Sequence, residues 1–439
     1  MKLTKNVYIA IGLMLFAMFF GAGNLIFPVF MGQNSGINTV WATIGFCLTG
    51  VGLPILGVAA IGYSGSDLQA LASRICKFYA VFFSVALYIT IGPAFAIPRT
   101  ATTSFEMSVA PFLGESMKSS ALYIFAFLYF LLSWWLSVSP SKLVGRIGKL
   151  ITPILLFFLA VLFLAYIFDP MGAWQPAQKA YGEPIKALTQ GFLDGYNTMD
   201  ALASFVFGIV VINSLRLFGI EDNKDIAFYT LKSGLIAGLC LAVIYVFLCL
   251  IGASSVSALG MKENGAVILV GVSSYYFASF GRIMMGLIVF LACLTTSVGL
   301  ITACAEYFNR LLSKGESYKL WVTIFSAGSF CIALFGLTTI IKGAIPVLMF
   351  LYPLTIALVI LTFSNGLFGG YRIVYRISIL FTLVPALYDG IHAAGFSLGG
   401  IDAFMAGLPL ASHGLAWLPF CLIGLILGRI LASQCPEKI

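Results

Sequence analysis

Residues 15–30 read LFAMFFGAGNLIFPVF. The flanks are apolar, but Gly21, Ala22, Gly23 and Asn24 stand in the middle and Pro28 follows one turn later. Glycine is a poor helix residue, and an unpaired amide is costly in hydrocarbon. A bilayer tolerates non-helical backbone only where protein or a cavity surrounds it. The run therefore predicts a helix interrupted at membrane depth, beside a hollow. The competing explanation is close helix packing through small residues; Asn24 favours the break, because such packing has no need of an amide.

Reading outward, this run belongs to an apolar segment from Val7 to Met31. Lys2 and Lys5 precede it, as in a signal peptide, but it exceeds the about 7–15 residues of a signal core and reads as a retained first helix. Comparable segments follow at 39–62, 78–105, 119–139, 150–168, 192–214, 230–253, 281–311, 320–341, 344–364, 377–398 and 414–432. That gives about twelve transmembrane helices, as the length allows at roughly 20 apolar residues per span. The chain is 61% hydrophobic and 9% charged, against about 25% charged in soluble domains. These features predict an all-α polytopic membrane protein, a single transmembrane domain over residues 1–439 whose main partner is the lipid bilayer. Residues 264–280 are too short for a span and suit a helix lying in an external loop. Asp169–Gln190, with Pro170, Pro176 and Pro184, reads as an external loop.

Orientation follows from the Lys/Arg bias. With the N-terminus inside, the internal segments hold Lys5, Arg74, Lys77, Arg216, Lys224, Lys232, Arg310, Lys319, Arg372, Arg376 and Arg429, among others. The external segments hold only Lys118, Lys179, Lys186, Lys262, Arg282 and Lys342. Both termini are therefore expected in the cytoplasm. The net charge of +8 reflects these basic loops, and no aromatic–Arg repeat suggests nucleic acid. The nine cysteines, Cys435 included, form no CxxC and mostly sit in apolar runs as packing residues. His392 and His413 are the two histidines, too few for a histidine-built metal site. No organic cofactor and no obligate protein partner is expected.

A second interruption lies in the sixth span, where residues 191–208 read GFLDGYNTMDALASFVFG. Asp200 is a carboxylate at membrane depth, and such groups mark substrate or ion paths; alternatively, residues 191–200 are the hydrated outer end of a helix. Breaks at matching positions of two five-helix halves point to a transporter site. Half-helix N-termini offer free N–H groups to a carboxylate, and half-helix C-termini offer carbonyls to an ammonium or Na⁺. In the eighth span, residues 292–297 read ACLTTS. Hydroxyls with freed carbonyls would make an oxygen cage for a hard cation, although Ser and Thr commonly bond back to their own helix. Arg99 and Glu106 lie seven apart on one face of the third span and form a candidate gate or simply snorkel. Asp389 and His392 can touch as an i,i+3 pair.

The runs FFGAGNLIFP at 19–28, GPAFAIPRTA at 92–101 and TMDALA at 198–203 resemble signatures of the bacterial branched-chain amino acid:cation symporters, the carrier-II or BrnQ-type family. The resemblance extends over essentially the whole chain. It implies a LeuT-type fold: inverted repeats at 7–168 and 192–364, each of five helices, with helices 1 and 6 broken, then two helices at 377–432. It also implies Na⁺-coupled uptake of leucine, isoleucine and valine across the bacterial inner membrane. Gly21–Asn24 and Ala292–Ser297 are further similar to the first-helix break and eighth-helix sodium motif of the neurotransmitter:sodium symporters.

Carried over by position, a sodium ion would meet the carbonyls of Ala17, Phe20 and Ala292 and the hydroxyls of Thr295 and Thr296. A second sodium would use the Phe19 carbonyl, Asn24 and Thr198. The amides near Ala22, Gly23 and Asn24 would hold the substrate carboxylate, and carbonyls near Tyr196, Asn197 and Thr198 its ammonium. The substrate side chain would rest against Ala203, Phe207 and Leu300. Asp200 stands where those transporters carry no acid, as a partner for the amine or a proton- or chloride-linked charge, and no seventh-span residue matches their sodium ligand there. The alternatives are a proton-coupled symporter or exchanger, with Asp200 or Glu106 titrating, and, more remotely, an intramembrane enzyme.

Overall fold

The computed structural model describes residues 4–65, 67–138, 143–312, 318–434 and 437–438; Lys2 and Cys435 lie outside them. Its helices in chain order are α1 Lys5–Phe19, α2 Ala22–Ser35, α3 Thr39–Cys47, α4 Leu53–Ser64, α5 Leu68–Ala72, α6 Lys77–Ile89, α7 Ala96–Ser108, α8 Glu115–Ser137 and α9 Leu143–Phe168. Then come α10 Pro184–Asp194, α11 Asp200–Leu217, α12 Asn223–Leu259, α13 Gly265–Leu312, α14 Tyr318–Ala333, α15 Leu337–Phe363, α16 Arg372–Ala393, α17 Gly400–Ala406 and α18 Trp417–Leu431. Among the described residues, eight helical stretches are long and apolar enough to cross a bilayer. Lys5–Phe19, Leu156–Phe168, Tyr318–Ala333 and Trp417–Leu431 are shorter apolar helices.

Both interruptions are present, with boundaries that differ from expectation. The first lies at Phe20–Gly21, upstream of Gly23 and Asn24, which already belong to α2. The reason is local. Asn24 Oδ1 accepts the Gly21 N–H at 3.1 Å, so the amide that looked like a helix breaker caps the new helix instead. Pro28 sits inside α2 without ending it. The second interruption is a tight turn over Gly195–Thr198 followed by Met199 at φ 65°. This left-handed residue turns the chain into α11 and makes Asp200 its first residue.

Two further differences concern loops and spans. The loop expected over Asp169–Gln190 ends early, because α10 begins at Pro184; proline in the first turn gives up only a donor that has no helical partner. The third span is not continuous. Gly92 has non-helical angles (φ −92°, ψ −124°) and Pro93 follows, so the span divides into α6 and α7, and Arg99 lies near the start of α7. The segment 264–280 is helical, and Ala278 (φ 50°, ψ −136°) separates it from the eighth span within α13.

The helices form two groups. α12 runs beside α1, α2 and α4, and α11 beside α4. α13 runs beside α7, α8 and α14, and the two groups meet where α13 packs against α2 and α1. Within the first group, α2 and α12 touch backbone to backbone: a Cβ on Gly32 would lie 2.1 Å from the Cys249 carbonyl oxygen, and one on Gly252 2.0 Å from that of Val29. Small residues of this kind substitute for a hydrophobic driving force in lipid. Backbone atoms cannot yield as side chains do, so Gly252→Ala is expected to push the helices apart at a cost of about 1–3 kcal/mol or more. The measurement is thermal unfolding and monodispersity in detergent. Gly299→Ala, at a position with open space around it, should leave both unchanged.

Candidate functional site

The two breaks face each other across a cavity whose wall is built from α1, α2, α7, α11 and α13. The cation at its edge comes from the divided third span. Starting α7 at Ala96 brings Arg99 against the start of α2, and the residue is buried. Arg99 Nη1 donates to the Asn197 carbonyl at 2.6 Å and Nη2 to the Thr198 carbonyl at 3.2 Å. Its guanidinium carbon stands 5.1 Å from the Phe27 ring centre. Gly23 leaves the space: a Cβ there would lie 2.7 Å from Nη2.

The cavity wall also carries an anion. Asp200 is buried in the first turn of α11, not hydrated at a helix end. Its Oδ2 accepts from the Asn24 amide and, at 3.0 Å, from the Tyr245 hydroxyl. Asn24 also donates to the Tyr245 oxygen. Asp200 N–H donates to Thr198 Oγ1 at 3.3 Å, and that hydroxyl donates to the Gly195 carbonyl at 3.0 Å. A buried carboxylate needs such donors. α2, α11 and α12 are thereby tied at one point.

The third feature is oxygen-rich. In a continuous first span the Gly21 N–H would serve Ala17, but it serves Asn24, which leaves the last carbonyls of α1 without helical donors. Thr296 Oγ1 reaches across from α13 to the Phe20 carbonyl at 3.4 Å. Thr295 Oγ1 donates at 2.7 Å to Ala292 of its own helix.

Of the substrate residues expected from sequence, Ala22, Gly23, Asn24, Thr198, Asp200, Ala203, Phe207 and Leu300 line the cavity. Tyr196 and Asn197 do not; Tyr196 stacks on Tyr352 with ring centres 4.0 Å apart. The Asn197 and Thr198 carbonyls expected to meet an ammonium carry the Arg99 guanidinium in this structure. Phe19, Asn24 and Thr198, the second sodium set, all lie on the wall, yet Asn24 Oδ1 and Thr198 Oγ1 each already accept a backbone N–H. Among the expected first-sodium residues, Thr296 lines the cavity and meets Phe20, while Ala17 is half-buried in α1. Arg99 and Glu106 form no pair among the described residues: Arg99 turns to the cavity, and Glu106 is half-buried farther along α7. Asp389 and His392 likewise do not meet, and His392 stacks against Tyr388.

Sequence reading missed Tyr245, as well as Met18, Ile91, Ala96, Thr100 and Met199 on the wall. The available signal for Tyr245 was a hydroxyl in the middle of an apolar seventh span. The four aliphatic residues carry no such signal.

The residue pattern has relatives. A family model described as "Branched-chain amino acid transport protein" matches residues 4–435. The chain is 45% identical to the branched-chain amino acid permease BraB of Bacillus subtilis over 426 residues, covering 96% of this chain and 95% of that one. It is 43% identical to the branched-chain amino acid permease BrnQ of Lactobacillus delbrueckii subsp. lactis over 423 residues, covering 95% of each. Among solved structures, a nucleobase-cation-symport-1 family transporter in a closed conformation with bromovinylhydantoin bound superposes with a TM-score of 0.63 at 12% identity, covering 98% of this chain and 93% of that one. MhsT in complex with L-phenylalanine superposes with a TM-score of 0.56 at 16% identity, covering 97% and 98%. At those identities the likeness shows the fold alone, which is the LeuT-type helical arrangement with its first and sixth helices broken.

Proposed function

The chain belongs to the branched-chain amino acid transport protein family, and on that premise we propose that it is a secondary active symporter carrying leucine, isoleucine and valine into the cell with Na⁺. It is a polytopic membrane transporter and not an enzyme. The observation that carries the reading is the cavity itself. An anion with its donors, a cation, two half-helix ends and apolar walls converge on one cavity.

In this reading the substrate ammonium is drawn to Asp200, and its carboxylate to the first-turn amides of α2 at Ala22, Gly23 and Asn24. The side chain rests against Phe19, Ala203, Phe207 and Leu300. Burying a leucine side chain contributes about 1.5–3 kcal/mol, which rejects glycine-sized and polar substrates. One methylene is worth roughly 1–3 kcal/mol, so leucine, isoleucine and valine are separated poorly.

Na⁺ is assigned to Ala17, Phe20, Ala292, Thr295 and Thr296, supported by the Thr296–Phe20 contact between α13 and the first break. Closing that contact around an ion favours the arrangement that binds substrate, which couples the two solutes. The repeats at 7–168 and 192–364, which carry the breaks at Phe20–Gly21 and Gly195–Met199, would then move against each other around the site. In this reading the basic loops and both termini face the cytoplasm, and the membrane is the bacterial inner membrane.

The deciding experiment is leucine uptake into proteoliposomes with Na⁺, H⁺ and voltage gradients imposed separately. Accumulation is expected with an inward Na⁺ gradient and not with a pH gradient alone. Uptake that follows pH and ignores Na⁺ would instead select proton coupling, with the buried Asp200 as the titrating group.

A further inference from the structure

Arg99 keeps hydrogen-bonding capacity that the surrounding protein does not use. Its Nη1 and Nη2 end donates to two carbonyls. Its Nε is buried and has no hydrogen-bond partner. Among the described residues no carboxylate forms an ion pair with it. Carbonyl dipoles and the Phe27 face solvate a cation only in part, and a cation at membrane depth calls for an anion.

The unused part of the group has a definite shape. A guanidinium has two bidentate edges beyond its alkyl side. The carbonyls of the sixth-span break take the Nη1–Nη2 edge. The Nε–Nη2 edge is left, and Nη2 lies where Gly23 has no side chain. That edge therefore adjoins the first turn of α2, whose amides are also donors without helical partners. Arg99, the α2 residues Ala22, Gly23 and Asn24, and Asp200 all line the same cavity, with Asp200 held by the Asn24 side chain.

We propose that Arg99 is the specificity-determining residue for the substrate's α-carboxylate, gripping it through the Nε–Nη2 edge while its other edge pins the sixth-span break. This rests on the amino-acid reading above and deepens it. The fixed Arg99 and Asp200 charges make the cavity the complement of a zwitterion. Arg99 also holds the Asn197 and Thr198 carbonyls, which assigns the ammonium to Asp200 alone. An amino acid is accepted only with both of its charges, so amines and α-amides of the same side chain are excluded.

The test is equilibrium binding of leucine and of leucinamide, which keeps the ammonium and isobutyl group and lacks the carboxylate. It uses the full-length protein in detergent with Na⁺ present, with monodispersity checked for each variant. The wild type is expected to prefer leucine by about 100-fold or more. In Arg99→Gln, leucine affinity should fall about 100-fold while leucinamide changes less than about threefold, so the preference disappears. Arg99→Lys keeps the charge and loses the fork; leucine should fall roughly tenfold with leucinamide again unmoved. If Arg99→Gln is not monodisperse, the lysine variant decides alone. Equal losses for both ligands, or an unchanged preference, would assign Arg99 a purely structural part and overturn the proposal. A wild type that binds neither ligand would overturn the amino-acid reading and the Arg99 assignment together.

Discussion

Asp200→Asn should lower leucine uptake by about 100-fold or more while leaving a folded, monodisperse protein. The substitution is isosteric, so the cavity keeps its shape. An amide oxygen can still accept from Asn24 or Tyr245, which hold the wild-type carboxylate. What disappears is the negative charge proposed to meet the substrate ammonium. Truncating one partner of a buried, hydrogen-bonded charge pair costs about 2–5 kcal/mol, and each 1.4 kcal/mol is about a factor of ten. Leucine-for-leucine exchange separates the two roles open to this carboxylate. If Asp200 holds the ammonium, exchange and concentrative uptake are lost together. If it carries a coupling proton instead, the asparagine mimics the protonated form, and exchange survives where accumulation does not. Asp402→Asn is the control. That carboxylate is outside the cavity and accepts from Ser397 and the Leu398 N–H near the surface, so uptake should change less than about twofold.

Much of this arrangement was legible because its signals are local. Glycine, proline and asparagine inside apolar runs announce broken backbone wherever the chain later places them, and both breaks fell within a few residues of expectation. The exact boundary was not legible, because Asn24 acts through its side chain on Gly21 and so starts a helix where composition suggested the end of one. Gly92–Pro93 carried the same local signal, but reading that stretch as one span hid its consequence, which is the delivery of Arg99 to the cavity. Tyr245 shows the opposite limit. A tyrosine within an apolar helix usually packs in the core; its contact with Asn24 and Asp200 exists only because α12 lies beside both breaks. Arg99 and Glu106 do not pair for a related reason: a shared helix face states that two side chains can align, and says nothing of a stronger partner elsewhere, here the Asn197 and Thr198 carbonyls.

The same distinction between local and cross-chain bonds governs the sodium assignment. Thr295→Ala with Thr296→Ala should raise the Na⁺ concentration for half-maximal leucine uptake by about tenfold or more, the scale of a typical coupling free energy. The two hydroxyls should not share this loss equally. Thr295 donates to Ala292 within its own helix, a bond any membrane-helix threonine can make. Thr296 instead spans from α13 to the Phe20 carbonyl at the first break, so its single alanine variant should carry most of the shift, and Thr296→Ser should largely restore the wild-type value. Linkage makes the argument stricter. If Na⁺ joins these two helices, leucine binding without Na⁺ should be nearly the same in wild type and double variant, because the lost ligands act only through the ion. With saturating Na⁺ the wild type alone should tighten. A double variant that is folded and titrates with Na⁺ as the wild type does would remove the ion from this place, whereas leucine binding that weakens equally with and without Na⁺ would mean that Thr296 holds the cavity wall rather than the ion.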